Sequence, residues 1–396
     1  MKVKYIKAFD GLRGIGALMI LMYHWPGRIS ISHGWEFMQM FFVMSGYLIT
    51  LSLLEEKKLF TFKKFAVRFY IKRALRLFPL YYGYLICALG LYLLTKNAET
   101  PLAEDIVKHG WYLITYTYNY MDIINFWMEK DYASSLWSTH LWTLSMEEQF
   151  YLIFPFLVFY ISLDKLKVIV PVSIICAVVF RIISYQFYIQ MNPSDQAWIV
   201  RNLVRIPFAQ MDSFAVGALF AIFNFKFIKH IRSLFWAMTL FIIVLYGINM
   251  IYVYYFQGET YYSLTFGKKL AEGWLANNYL FAYMIVLVNF WCGLLIKYVS
   301  EDKSIAAFFE YSPLIFLGKL SYGFYLLHLP ILHMFLLLLY KLNLLKSLKE
   351  NIFLEFPLLL IFIGISTLIA FIVNKYFESY FIKLKSRIFN SKKVLT

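Results

Sequence analysis

The sequence predicts an all-α integral membrane protein with about ten transmembrane helices, an amphipathic helix on the cytoplasmic face, and both termini in the cytoplasm. Three observations predict it. Of 396 residues, 61% are hydrophobic and only 15% charged. An average soluble domain is about 45–50% apolar and about 25% charged. Apolar runs of about 20 residues, the length that crosses a bilayer, recur from end to end. The charges gather in short clusters between those runs, where the positive-inside rule places them.

The ten predicted spans run over 8–25, 36–54, 78–95, 139–161, 168–189, 209–225, 234–256, 279–297, 314–340 and 356–381. The first follows a lysine-bearing N-terminus, as a signal peptide would. No small-residue cleavage site follows it, and Pro26 closes it, so it reads as a retained span. Residues 56–77, "EKKLFTFKKFAVRFYIKRALRL", mix basic residues with Phe60, Phe62, Phe65, Phe69 and Leu75. That is the pattern of a basic amphipathic helix on the membrane surface. Residues 110–127 are aromatic but interrupted by Asn119 and Asp122, which favours an interfacial or re-entrant piece over an eleventh span. Residues 1–382 read as one transmembrane domain, followed by a short basic cytoplasmic tail over 383–396.

Orientation follows from the loops. Lys2, Lys4 and Lys7, the cluster from Lys57 to Arg76, then Lys226, Lys229 and Arg232, and the tail residues Lys383, Lys385, Arg387, Lys392 and Lys393 fall on one side of a ten-span topology. That side is cytoplasmic. The 96–137 connection, with three lysines against six acids, fits the outside. The 341–350 loop, with Lys341, Lys346 and Lys349, fits this scheme least well. The net charge of +15 is distributed as membrane topology requires, which argues against nucleic acid as a partner. Cys87, Cys176 and Cys292 all lie in apolar segments and read as packing residues.

An ionisable group inside a bilayer is expensive and faces a partner or a water-filled cavity. Such groups are the functional signal here. Arg13 and His24 lie eleven positions apart on the first span. Eleven helical steps come to about 1100°, so the two share one stripe about 16 Å apart along the axis. In "STHLWTLSMEEQFYLIFP", His140 and Glu147 are seven apart, with Glu148 adjacent and Tyr151 one turn on. Two neighbouring carboxylates at membrane depth need partners. Ser321, Tyr325 and His328 share a face of the ninth span, where they could equally glue helices together or line a site. Arg181 lies deep in the fifth span and needs an acid or a ligand; Glu147 or Glu148 is a natural candidate. Asp212 could pair with Arg205. Ser45-Gly46, in the second span, is a helix-packing signal. No metal-ligand spacing, phosphate-cradling glycine loop or nucleophile elbow occurs.

By residue type, a histidine and a carboxylate can activate a hydroxyl for attack on a carbonyl. Arginines at the inner face suit the phosphates of a donor. The same groups would also serve a proton-coupled transporter or flippase, although no internal repeat is apparent.

Five segments, in order, resemble the acyltransferase-3 family of membrane-bound O-acyltransferases. "FDGLRGIGALMILMYHW" is similar to its arginine, ten residues, histidine motif. "FFVMSGYLIT" is similar to its Phe-Phe-Val-x-Ser-Gly signature. "RFYIKRALRLFPLYY" keeps Arg73, Arg76 and Pro79 of a basic stretch, with Lys72 in place of the first arginine. "LWTLSMEEQFYLIFP" is similar to its Trp-Ser-Leu-x-x-Glu-Glu-Gln-Phe-Tyr motif, with Thr143 at the usual serine. "LGKLSYGFYLLHLPI" is similar to its Ser-Tyr-x-x-Tyr-x-x-His pattern. The chain departs at Gln210, where the family often has arginine, and has no room for the soluble hydrolase-like domain that some members carry.

The resemblance implies transfer of an acyl group, most often acetyl, from acyl-CoA as co-substrate to a hydroxyl of an extracytoplasmic glycan or lipid-linked precursor. It implies Arg13, Arg73 and Arg76 as donor-binding residues. It implies His24 as general base or acyl carrier, with Glu147 or Glu148 as orienting acid. Ser45, His140, Tyr151, Arg181, Tyr325 and His328 would line the acceptor side or channel. The expected location is a bacterial cytoplasmic membrane, with no bound cofactor and no metal.

Overall fold

A computed structural model describes residues 5–31, 34–94, 101–128, 138–191, 196–223, 230–256, 280–345, 348 and 351–390. The terminal and loop lysines Lys2, Lys4, Lys226, Lys229, Lys346, Lys349, Lys392 and Lys393 lie outside the described residues. The described residues are mostly helical and contain no strand.

The helices are α1 Lys7–His24, α2 Gly34–Lys57, α3 Phe62–Leu94, α4 Pro101–Ile114, α5 Met121–Trp127, α6 Leu141–Tyr160, α7 Leu163–Met191 and α8 Gln196–Leu203. They continue as α9 Pro207–Ile222, α10 Ile231–Phe256, α11 Leu280–Glu301, α12 Lys303–Phe309, α13 Ser312–Lys341, α14 Ile352–Val373 and α15 Ser379–Asn390. Among the described residues, six helical stretches are long and apolar enough to cross a membrane. They are Gly34–Lys57, Leu163–Met191, Ile231–Ile248, Leu280–Glu301, Ser312–Lys341 and Ile352–Phe389. Pro207–Ile222 is a shorter apolar helix. Leu240, Phe241, Ile243, Val244 and Ile248 of α10 all point outward, as do Phe353, Phe356, Leu360 and Leu368 of α14. Exposed apolar faces of that extent suit lipid as the solvent. The chain is a multi-pass membrane protein.

Local chemistry sets the helix ends. Pro26 stops α1, and Trp25 before it is extended, as a residue preceding proline prefers. Pro207 opens α9, where its missing N–H is not needed. Asp302 caps α12 by accepting from the Ser304 and Ile305 amides at 2.8 and 3.2 Å. At the end of α4, the Tyr81 and Tyr82 hydroxyls donate to the Leu113 and Ile114 carbonyls at 2.9 and 3.0 Å, satisfying groups that the helix leaves open.

One predicted boundary differs. The basic segment and the third predicted span are one helix: α3 runs unbroken from Phe62 through Pro79. Proline is tolerated within membrane helices because neighbouring groups satisfy the freed carbonyl. At 33 residues, α3 is longer than a bilayer core needs. The 110–127 piece is divided among α4, a short 3₁₀ turn at Tyr118–Tyr120, and α5, none of span length.

The chain forms two compact units. The first comprises Met1–Glu55, Leu157–Lys319 and Leu348–Phe356; the second comprises Glu56–Phe156, Leu320–Ser347 and Pro357–Thr396. Within the first unit, two helix crossings bring backbone against backbone. A Cβ on Gly46 of α2 would lie 2.2 Å from the Phe214 carbonyl oxygen, and one on Gly217 of α9 would lie 2.0 Å from that of Val43. Likewise Gly11 of α1 abuts the Phe309 carbonyl, and Gly318 abuts that of Asp10. Small residues at such crossings let membrane helices pack closely. This is the packing role expected at Gly46.

Candidate active site

In the first unit, Arg13 and His24 stand on the single helix α1. Asp10, one turn before Arg13, accepts from the Arg13 guanidinium at 2.9 Å and from the Tyr5 hydroxyl. His24 is half-buried, and its Nδ1 lies 2.9 Å from the Ile20 carbonyl. A carbonyl only accepts, so Nδ1 carries the proton and Nε2 is the basic nitrogen of the neutral ring. Ser45 is half-buried on α2, one position before the Gly46 crossing.

Arg181 is fully buried and bidentate on Asp212, with Nη1–Oδ1 2.9 Å and Nη2–Oδ2 2.8 Å. It also donates to the Ala209 and Ala282 carbonyls, the latter at 2.9 Å. This corrects two expected pairings. The acid of Arg181 is Asp212 and not Glu147 or Glu148, and the base of Asp212 is Arg181 and not Arg205. The physical reason is adjacency: α7 packs along α9, which puts the two side chains face to face inside one unit.

Four further polar residues of the first unit, Gln39, Ser213, Asn289 and Glu355, escaped sequence reasoning. The Ser213 hydroxyl faces the amide oxygens of Gln39 and Gln210 at 2.6 and 2.9 Å, and Asn289 Nδ2 donates to it at 3.1 Å. All four residues are buried. A search confined to ionisable groups passes over amides; Asn289, alone in the run "LFAYMIVLVNFW", was the available signal. Glu355 is also fully buried. It looks like an end-of-span acid in sequence, yet it accepts from Trp25 Nε1 at 2.9 Å and from the Ile29 amide at 2.7 Å.

In the second unit, the Arg73 guanidinium lies over the Tyr151 ring, 5.0 Å from its centroid. The Tyr151 hydroxyl donates to Glu147 Oε2 at 3.0 Å. An arginine of α3 and a glutamate of α6 thus meet through one tyrosine. Glu148 has one oxygen shielded from solvent with no hydrogen bond among the described residues. Arg76 is exposed one turn beyond Arg73.

His140 stands in the turn before α6, not on the helix, so its expected shared face with Glu147 gives way to another contact. Its Nε2 lies 3.0 Å from the Leu326 carbonyl, and its ring is 5.1 Å from His328 and 5.5 Å from Tyr325. The Tyr325 hydroxyl reaches the His140 carbonyl at 3.0 Å and Thr143 Oγ1 at 2.6 Å. His140, Tyr325 and His328 therefore form one aromatic, hydrogen-bonded cluster. Ser321 is buried one turn earlier on α13. Among the described residues, no group of three or more His, Cys, Asp or Glu could hold a metal ion.

The described helices make a multi-pass membrane protein, with a half-buried histidine on α1 of the first unit and an Arg73–Tyr151–Glu147 contact within the second. The chain belongs to the acyltransferase-3 family: residues 6–375 match it, under the description acyltransferase domain. It is 27% identical to O-acetyltransferase OatA of Staphylococcus aureus strain NCTC 8325 / PS 47 over 343 residues, which is 83% of this chain and 51% of that protein. A protein of S. aureus strain COL, named provisionally as an O-acetyltransferase, is 34% identical over 160 residues, 39% of this chain and 25% of that protein. The chain spans a quarter to about half the length of these curated relatives. No solved structure matches it.

Proposed function

We propose that the protein is an O-acyltransferase of a bacterial cytoplasmic membrane. It moves an acyl group, acetyl in the first instance, from acyl-CoA to a hydroxyl of an extracytoplasmic glycan or lipid-linked glycan. Ten spans with both termini cytoplasmic complete this reading. The observation that carries it is the Arg73–Tyr151–Glu147 relay, which joins two of the five family motifs inside one unit. A guanidinium there suits a phosphorylated donor, and a carboxylate suits orientation of a reacting group.

Roles are assigned residue by residue. Arg73 and Arg76, with Arg13, take the donor's phosphates. His24 works from Nε2, the nitrogen left basic by the Ile20 contact. As a base, it takes the proton of the acceptor hydroxyl as that oxygen attacks the thioester carbon. The C–S bond then breaks, and the proton passes to the departing thiolate. As a carrier, Nε2 itself displaces the thiolate, and the acceptor hydroxyl then displaces the imidazole, its proton passing to the thiolate. Glu147 orients, with Glu148 as the alternative acid. Ser45, His140, Tyr151, Tyr325 and His328 are assigned to the acceptor side or channel, while Arg181, fully buried on Asp212, serves as a structural anchor.

The deciding experiment incubates purified protein with labelled acetyl-CoA and compares envelope glycans by proton NMR. His24→Ala at matched protein level abolishes the O-acetyl signal. Intact acylation by His24→Ala overturns the role of His24. Uptake of the donor into vesicles without loss of the thioester overturns the enzyme in favour of a transporter.

A further inference from the structure

The last helix brings a fourth cation to the arginines of α3. Helix α15 runs antiparallel along α3 within the second unit. The Phe389 ring lies 5.1 Å from the Arg68 guanidinium and 5.5 Å from Lys72 Nζ. At the other end of this contact, Glu378 and Leu80 both border Gly323. The register between those points sets Lys385, one turn before Phe389, beside Lys72 and Arg76. Lys385 lies within the repulsive fields of Arg76, Arg73 and Lys72.

Of the nearby acids, Glu56 and Glu147 are engaged, while Glu148 and Glu378 each keep one buried oxygen without a hydrogen bond among the described residues. Glu56 holds Lys72, with Arg68 at 3.9 Å. Glu147 is bonded to Tyr151, and Glu378 accepts from Asn374 Nδ2 at 2.9 Å. Among the described residues Arg73, Arg76 and Lys385 have no carboxylate within ion-pair distance. Arg73 and Arg76 are i, i+3 on one helix face, and Lys385 comes to them from α15. Three like charges held together by packed helices repel one another, and a polyanion relieves that repulsion. Two guanidinium forks and one ammonium are the groups that recognise phosphate.

We propose that Lys385 binds the donor's phosphates, forming with Arg73 and Arg76 a three-cation site for a polyphosphorylated thioester. The inference rests on the reading of acyl-CoA as donor. It makes Lys385, within the basic C-terminal segment, part of the binding machinery.

The test uses full-length protein in neutral-lipid nanodiscs with acetyl-CoA as probe. Lys385→Gln raises the KM for acetyl-CoA and the Kd for CoA about tenfold, as loss of one charge-assisted contact does, while kcat holds. Lys385→Arg restores both constants. Lys383→Gln, an exposed neighbour on the same helix, changes neither. Wild-type constants in Lys385→Gln overturn the inference and leave the donor reading standing. A Lys385→Gln effect confined to nanodiscs containing anionic lipid assigns Lys385 to a headgroup phosphate and also overturns it. Wild-type protein that binds no CoA overturns the donor reading itself, and this inference with it.

Discussion

The Glu355 carboxylate accepts the Trp25 indole N–H at 2.9 Å, joining α14 to the residue that follows His24. The same oxygen accepts the Ile29 amide at 2.7 Å, and a Cβ on Gly27 would lie 2.0 Å from it. One buried acid therefore pins the turn that ends α1. Glu355→Ala leaves two donors without their acceptor, at about 1–3 kcal/mol each for a buried group. Glu355→Gln keeps an acceptor oxygen and loses less. Thermal unfolding in detergent is expected to rank wild type above Gln above Ala; an Ala variant as stable as wild type defeats the idea.

Arg181 and Asp212 are a second buried anchor. Removing one partner leaves the other charge buried and uncompensated, a loss of about 3–5 kcal/mol. Arg181→Met and Asp212→Leu are each expected to reduce folded yield sharply. The double variant Arg181→Met/Asp212→Leu recovers much of the loss, because an apolar pair needs no compensation. A double variant as poor as either single one would show that the pair contributes more than its mutual neutralisation. Fluorescence-detected size-exclusion chromatography reads the comparison.

Gly46 and Gly217 test the close helix crossing. Gly46→Ala presses a methyl onto backbone that cannot swing aside, and overpacking of this kind costs about 1–3 kcal/mol. Gly247 of α10 has nothing within 4 Å of where its Cβ would stand. Gly247→Ala is expected to be neutral or to stabilise by up to about 1 kcal/mol through helix propensity. Equal melting temperatures for the two alanine variants would remove the argument for a tight crossing.

Tyr151→Phe separates the two halves of the relay. It keeps the ring under Arg73 and deletes the bond to Glu147. A buried hydrogen bond contributes about 0.5–1.5 kcal/mol, so kcat/KM is expected to fall about 2- to 10-fold. Glu147→Gln falls at least as far. Undiminished kcat/KM in Tyr151→Phe would make the contact one of packing alone.

The sequence by itself determined what is local and periodic. It carries the membrane class in its hydropathy and in the clustering of charge. It places Arg13 and His24 on one helix, and Ser321, Tyr325 and His328 along one face, because helical spacing depends only on position in the chain. It also contains the motif order on which family membership rests. Tertiary structure decided the partners. Which acid neutralises Arg181 depended on α7 lying against α9, and no spacing rule links positions 181 and 212. Glu355 and Trp25 are 330 positions apart. His140 turned to Tyr325 and His328 because it precedes α6 instead of standing on it. α3 continues through Pro79, a residue that local rules alone would have end or kink the helix. Lys385 joins the α3 arginines only through the antiparallel register of α15. Periodicity fixes the direction in which a side chain leaves its helix; only the packing of helices fixes what it meets there.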